Sequence, residues 1–165
     1  GTPHRGSKTF TKFLRAPRVF FSIAAFAVNN WIRLVGDREP DFRRVCEEFA
    51  VSHMERFNEE NPDVPGVFYQ SVAGVMKHPF SDINLSTACF VLNRIEGKND
   101  GLVSVESAAW GERCIELCGS TRRGISHLDE IDLRRTAFSQ KTGKGVRDIT
   151  DFYVELVHDL KNRGF

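Results

Sequence analysis

Three observations in the sequence predict an α/β fold. Segments with apolar residues at helical spacing alternate with two short apolar runs of strand character. Those runs are bounded by Gly, Pro, Asn and Asp turn chemistry, as strands in a layered fold are. The mix of 41% hydrophobic and 27% charged residues is that of a chain able to bury a core. At 165 residues one domain is the natural reading. With 23 basic against 22 acidic side chains the net charge is +1, which gives no long-range field to attract nucleic acid. Fourteen Phe stand against two Tyr and two Trp, many of them in the first third, and large apolar area without a polar handle asks for a greasy surface or pocket.

The chain opens with Gly1-Thr2-Pro3-His4-Arg5-Gly6-Ser7, a loop composition without the basic and apolar regions of a signal peptide, and such a loop is expected to follow a strand. From Pro17 to Val35 runs the greasiest stretch, centred on Val19 to Val28. It is too short and interrupted for a bilayer span of ~20 apolar residues. Pro17 at its first turn and Gly36 at its end fit a helix of about five turns, apolar nearly all round. Two readings stand for it: a buried core helix, or a helix that covers a lipid-binding cleft. Asp41 then opens an amphipathic helix carrying Phe42, Val45, Cys46, Phe49, Met54 and Phe57, broken by Asn61-Pro62-Asp63 and Pro65-Gly66. Val67 to Ala73 is a short apolar strand ending at Gly74, Asp82 is expected to cap a helix running to Ile95, and Arg113 to Leu117 is a second strand. Asp148 or Thr150 caps a last helix with Ile149, Phe152, Tyr153, Leu156, Val157 and Leu160 on one face, stopped by Gly164. No internal repeat or low-complexity segment is present.

Cys46, Cys89, Cys114 and Cys118 have no metal-finger spacing. In a strand the last two would stand roughly 13 Å apart, too far for a bridge, and are expected to be packing thiols. Of the histidines, His53, His78 and His158 read as surface or partly packed side chains. His127 differs, because Gly124-Ile125-Ser126-His127-Leu128-Asp129-Glu130 places an imidazole on a loop just after a predicted strand, where α/β folds keep reactive groups. Asp100 lies on a glycine-flanked loop before it. An acid that orients a histidine, itself the general base for a nucleophile, needs these two residue types at strand ends in this order.

Gly1 to Ser7, Asn99-Asp100-Gly101-Leu102-Val103 and His127-Leu128-Asp129-Glu130-Ile131-Asp132 together resemble, in order and spacing, three motifs of the bacterial triacylglycerol lipases of the α/β-hydrolase superfamily. The resemblance spans nearly the whole chain. It implies the C-terminal portion of one α/β-hydrolase domain over residues 1–165, with a helical lid or cap over 8–60 and the sheet strands, the acid and histidine loops and the terminal helix over 61–165. It further implies that Asp100 is the triad acid and His127 the general base, and it favours the covering role for the apolar helix, with Phe20, Phe21, Ile23 and Phe26 facing lipid substrate. Gly-x-Ser-x-Gly is absent from the sequence, and the resemblance puts the nucleophile and oxyanion donors upstream of Gly1. Some lipases of this kind bind calcium through a carboxylate two residues after the histidine, a second upstream of the acid, and an amide. Asp129 matches the first and Asp82 the second, while Leu133 stands where the amide belongs. The plainer alternative is that Asp129 and Glu130 cap a following helix.

The leading expectation is therefore part of a serine esterase or lipase cleaving fatty-acid esters through an acyl-enzyme, with no required cofactor. A different class, a non-catalytic module that uses its apolar helix on a membrane surface or a partner protein, fits the same Phe-rich segment. A thioesterase or amidase of the same fold fits the acid and histidine equally. Self-association of the chain through the apolar face is expected, and the compartment is left open by the sequence.

Overall fold

The computed structural model describes residues 1–34, 36–133, 135, 137, 138 and 146–165. Val35 at the end of the apolar stretch falls outside them. Helix α1 (Lys8–Arg15) starts at Ser7, whose Oγ accepts the Phe10 N–H. Helix α2 (Arg18–Leu34) follows Pro17. Helices α3 (Phe42–Glu48) and α4 (Val51–Glu60) then precede strand β1 (Gln70–Gly74). Two short 3₁₀ turns (Pro79–Ser81 and Ile83–Leu85) lead into α5 (Ser86–Ile95). Helix α6 (Val105–Ala108), strand β2 (Arg113–Leu117) and helix α7 (Ile149–Asn162) complete the order. Mixed helix and strand with a small parallel sheet is compatible with the α/β class.

β1 and β2 pair in parallel, with Val72 opposite Ile115 and Gly74 opposite Leu117. Because successive side chains leave a strand on opposite faces, this register serves two layers at once. Val72 and Ile115 pack against the core of Leu117, Ile125, Phe138, Ile149 and Phe152, which seats α7 on one face. Ala73 points the other way, into Val103 and Ala108 beside α6. Asp148 caps α7, its carboxylate accepting the Thr150 and Asp151 N–H groups.

The first three helices build a separate aromatic cluster. Phe42 meets Phe10 and Phe13 edge-on, with centroids 6.0 and 6.2 Å away, and stacks with Phe21 at 6.2 Å. Arg43 lies 4.5 Å from the Phe21 ring centroid, and Cys46 is fully buried, its thiol pushed up to about 12 by burial. Glu96, at the end of α5, ties this layer to the rest: it accepts Ser7 Oγ–H (2.8 Å), Thr9 N–H (2.8 Å) and Ser104 Oγ–H (2.7 Å). Burial alone would raise the Glu96 pKa, but the hydrogen bonds from Thr9, Ser104 and Ser7 outweigh it and hold the carboxyl below its ordinary range.

Several expectations are corrected by this architecture. The amphipathic run from Asp41 to Phe57 is two helices, because Ser7 N–H donates to Phe49 C=O and Ser7 bridges to Ala50, taking that backbone out of the helix. α2 is neither a core helix nor a helix with one uniform face: Phe21 is 3% exposed and turned to Phe42, whereas Phe20 and Phe26 are 74% and 71% exposed. Arg18, Ser22, Asn29 and Arg33 fall on one stripe of the helix, and the apolar remainder is too wide for periodicity alone to say which Phe turns inward. Asp82 caps a 3₁₀ turn, and α5 begins four residues later. β1 starts at Gln70 rather than Val67. Among the described residues Asp129 and Glu130 cap no helix: the Asp129 carboxylate is taken by Ser126 and Arg123, that of Glu130 by Gly74, and the residues from Asp129 to Leu133 form turns. Cys114 is exposed, not packed, and all four cysteines are free thiols. Among the described residues no helix is long and apolar enough to cross a membrane.

Candidate active site

Two loops meet beyond the ends of the strands. In the first, Asp100 is held by an Asx-type turn: its Oδ1 accepts the Leu102 and Val103 N–H groups at 2.8 and 2.7 Å, and its own N–H donates to Val103 C=O. Gly101 at φ +103° makes the turn, and a Cβ there would come within 2.8 Å of Leu85 Cβ and 2.9 Å of Met76 Sδ, so only glycine fits. The second loop leaves Gly124, whose φ is +75° and where a Cβ would lie 2.4 Å from Val75 C=O. Ile125 N–H then donates to that carbonyl. Finally His127 N–H donates to Asp100 C=O at 2.8 Å, which locks one loop to the other through the backbone.

The side chains repeat that connection. Asp100 Oδ2 lies 2.8 Å from His127 Nδ1, with Asp100 1% exposed and the His127 side chain 32% exposed. The Asp100 hydrogen bond raises the His127 pKa, against the desolvation that would lower it. Asp100 uses both oxygens in defined bonds, so it presents a fixed acceptor to Nδ1 and favours Nε2 as the nitrogen that faces outward. Among the described residues no hydroxyl is hydrogen-bonded to His127.

Glu130 joins this pair, and the sequence offered it only as a helix cap. Its carboxylate accepts the Gly74 N–H at the end of β1 (2.8 Å) and also lies against the Gly1 nitrogen. Burial, and then the Asp100 charge, push its pKa up. One ligating atom from each of Asp100, His127 and Glu130 falls within 4.8 Å of the other two. The signal that could have found Glu130 is an acidic residue one helical turn's length beyond the histidine, on a loop too short to carry it away.

Asp82 and Asp129, the two carboxylates expected at a calcium ion, are brought together at Ser126, and each is 1% exposed. Ser126 Oγ–H lies 3.1 Å from Asp82 Oδ2 and 2.9 Å from Asp129 Oδ2, and Ser126 N–H donates to Asp129 at 2.8 Å. Arg123 forms an ion pair with Asp129 and donates its Nε–H to Ser81 C=O at 3.0 Å. Leu133, at the position of the expected amide, is 66% exposed.

A cleft of about 630 Å³ opens over His127 and Glu130, lined by Phe10, Val28, Trp31, Phe42, Leu102 and Ile131 among others. Its wall is mostly apolar and its polar groups are few, the form of a site that binds a small apolar molecule in a set orientation. Of the four residues expected to meet lipid, Phe20, Ile23 and Phe26 lie on the exposed outer side of α2 and Phe21 lies beneath it.

No family model matches the chain. It is similar to triacylglycerol lipase 2 of the yeast Saccharomyces cerevisiae, with 27% identity over 173 aligned residues that cover 99% of this chain and 48% of the lipase. The chain thus spans about half the length of that relative, and the relationship it shows is distant and lipase-like.

Proposed function

We propose that the chain carries the acid and base of a serine esterase acting on esters of fatty acids, within the C-terminal portion of an α/β-hydrolase domain. The Asp100 Oδ2 to His127 Nδ1 bond, on the floor of an apolar cleft, is the observation that supports this reading most directly. In that role neutral His127 accepts the nucleophile's proton at Nε2 as the acyl-enzyme forms, and returns it to the departing alcohol. The Asp100 carboxylate holds the ring in the productive tautomer and stabilises the imidazolium. The nucleophile and the oxyanion donors belong, on this reading, to residues outside the chain, and the similarity to a lipase of about twice its length agrees with that. Helices α1 to α4 then act as a lid or cap, with the Phe20, Ile23 and Phe26 side of α2 offered to lipid.

Hydrolysis of a nitrophenyl ester tests the proposal. The complete gene product turns the ester over, and His127→Ala abolishes it. The 165-residue chain by itself gives no turnover above its own His127→Ala control. Turnover of the chain alone that depends on His127 would place a nucleophile within it. A complete product that keeps its activity without His127 would overturn the assignment.

A further inference from the structure

We propose that Arg123 is a positioning residue: its guanidinium, held between Ser81 and Asp129, sets the shape of the loop that delivers His127 to Asp100, in the place where a bound cation would otherwise serve. The inference rests on the functional reading of His127 given above.

The turn that carries His127 is closed by Asp129. Asp129 N–H donates to Ser126 C=O at 2.9 Å, while Ser126 N–H and Oγ–H both reach back to the Asp129 carboxylate. His127 is the second residue of that turn, so the direction of its side chain follows from where the Asp129 carboxylate is fixed. That carboxylate shares the Ser126 hydroxyl with a second buried carboxylate, Asp82, and two negative charges drawn together out of water repel strongly unless a positive charge is added. Arg123 supplies it. Its guanidinium also has direction: Nη1 pairs with Asp129, and Nε donates to Ser81 C=O in the turn that leads to Asp82. One planar fork therefore spans the two segments that bear the two acids, which a spherical ion or a lysine cannot do with the same geometry. A calcium ion asks for six to eight free oxygen ligands. Here Asp129 already accepts from Arg123 and from Ser126 twice, Asp82 accepts the Asn84 N–H, and the amide position holds an exposed leucine. These residues do not suit the ion.

NMR of the chain itself separates this proposal from the esterase reading, because the Nδ1 proton bonded to Asp100 is a low-field resonance that needs no nucleophile. The wild-type chain is expected to show it at neutral pH. In Arg123→Ala it broadens or disappears while the α7 amide signals persist, and methylguanidinium restores it but calcium chloride does not. Arg113→Ala, which removes an exposed ion pair with Asp159, leaves it unchanged. Should Arg123→Ala unfold, Arg123→Lys and Asp129→Asn take its place, each expected to keep the thermal transition and weaken the resonance. In the complete gene product a misplaced imidazole is expected to lower kcat by about 10²-fold with little change in KM. An intact resonance in every Arg123 and Asp129 variant would overturn the proposal, as would calcium binding to the wild-type chain detected by calorimetry. Loss of the resonance in a product that proves inactive for other reasons would leave the positioning role standing and refute only the esterase reading.

Discussion

Around His127, polar side chains lie inside the protein: Asp82, Asp100, Ser126 and Asp129 are each 1% exposed. Along α2 the reverse holds, and Phe20, Ile23 and Phe26 are between 65% and 74% exposed. Both arrangements run against the usual sorting of side chains. The first is compensated internally, since every one of those polar groups is hydrogen-bonded and one ion pair offsets the charge. The second has no aromatic or cation–π partner for these three side chains among the described residues, and on the proposed function it is the side offered to lipid. The difference teaches how each region is built: one binds its polar groups into a fixed geometry, and the other leaves apolar side chains exposed.

Substitutions can break that comparison at either end, and the loops should show the largest effects. His127→Ala in the complete gene product is expected to lower kcat by about 10⁶-fold, the scale at which a general base is lost from a triad. Asp100→Asn should cost about 10⁴-fold with the fold retained, because an amide favours the wrong tautomer of the ring. Circular dichroism alongside the rate assay distinguishes this from unfolding, and a loss under tenfold would show that Asp100 is a structural acid only.

The helices call for a different experiment. Phe21→Ala should lower stability by about 3–5 kcal/mol in a denaturant titration, since Phe21 is stacked on Phe42 beneath Arg43. Phe20→Glu, on the opposite side, should leave stability nearly unchanged and reduce hydrolysis of emulsified long-chain esters about tenfold, with a soluble short-chain ester spared. If Phe20→Glu instead abolishes the thermal transition, the outer face of α2 is part of a core.

The smallest effect sharpens the comparison through pH. On the proposed function catalysis needs neutral His127, whose pKa is raised above its ordinary value of 6.5 by the Asp100 bond, so kcat/KM should rise with pH through a midpoint above 6.5. Stability runs the other way. A histidine with a raised folded pKa contributes stability that is complete below the unfolded value and lost as pH rises through the folded one. Thermal unfolding should therefore show a shallow fall over the same window, absent in His127→Ala.

How much of this was legible in the sequence depends on whether local chemistry or distant partners decide each feature. β2 and the Asp148 cap of α7 rest on local signals, turn residues and a side-chain oxygen two or three residues before an N–H, and they occur where those signals stand. Asp100 and His127 were visible as two loop residues, and it is the two loop backbones, bonded to each other, that bring them together. Three features were not legible. The break between α3 and α4 comes from Ser7, more than 40 residues away. The inward turn of Phe21 depends on Phe42 and Arg43, because the apolar face of α2 is too wide to single out one Phe. Glu130 and Arg123 are a charged residue near a histidine and one in a basic loop until Gly74, Ser81 and Asp129 are placed beside them.

The clamp at Glu96 has a mechanical consequence for the helices above the cleft. Three bonds to its carboxylate pin the start of α1 to the Asp100 loop, so α1 is the stationary mount. Between it and α2 stand only Ala16, in an extended conformation, and Pro17, a stiff joint with few backbone states. At the far end Gly36 at φ +112° turns the chain, with the Gly36 and Asp37 N–H groups bonded back to Arg33 C=O and Ile32 C=O. A rod of 17 residues, about 25 Å long, is fixed along its inner side by one residue of α3: Phe21 stacks on Phe42, and two turns further on Asn29 Oδ1 accepts the Phe42 N–H at 2.9 Å. Val28, Trp31 and Ile32, the side chains of α2 that line the cleft, flank Asn29, so the wall they form is placed by the same Phe42 that holds Phe21.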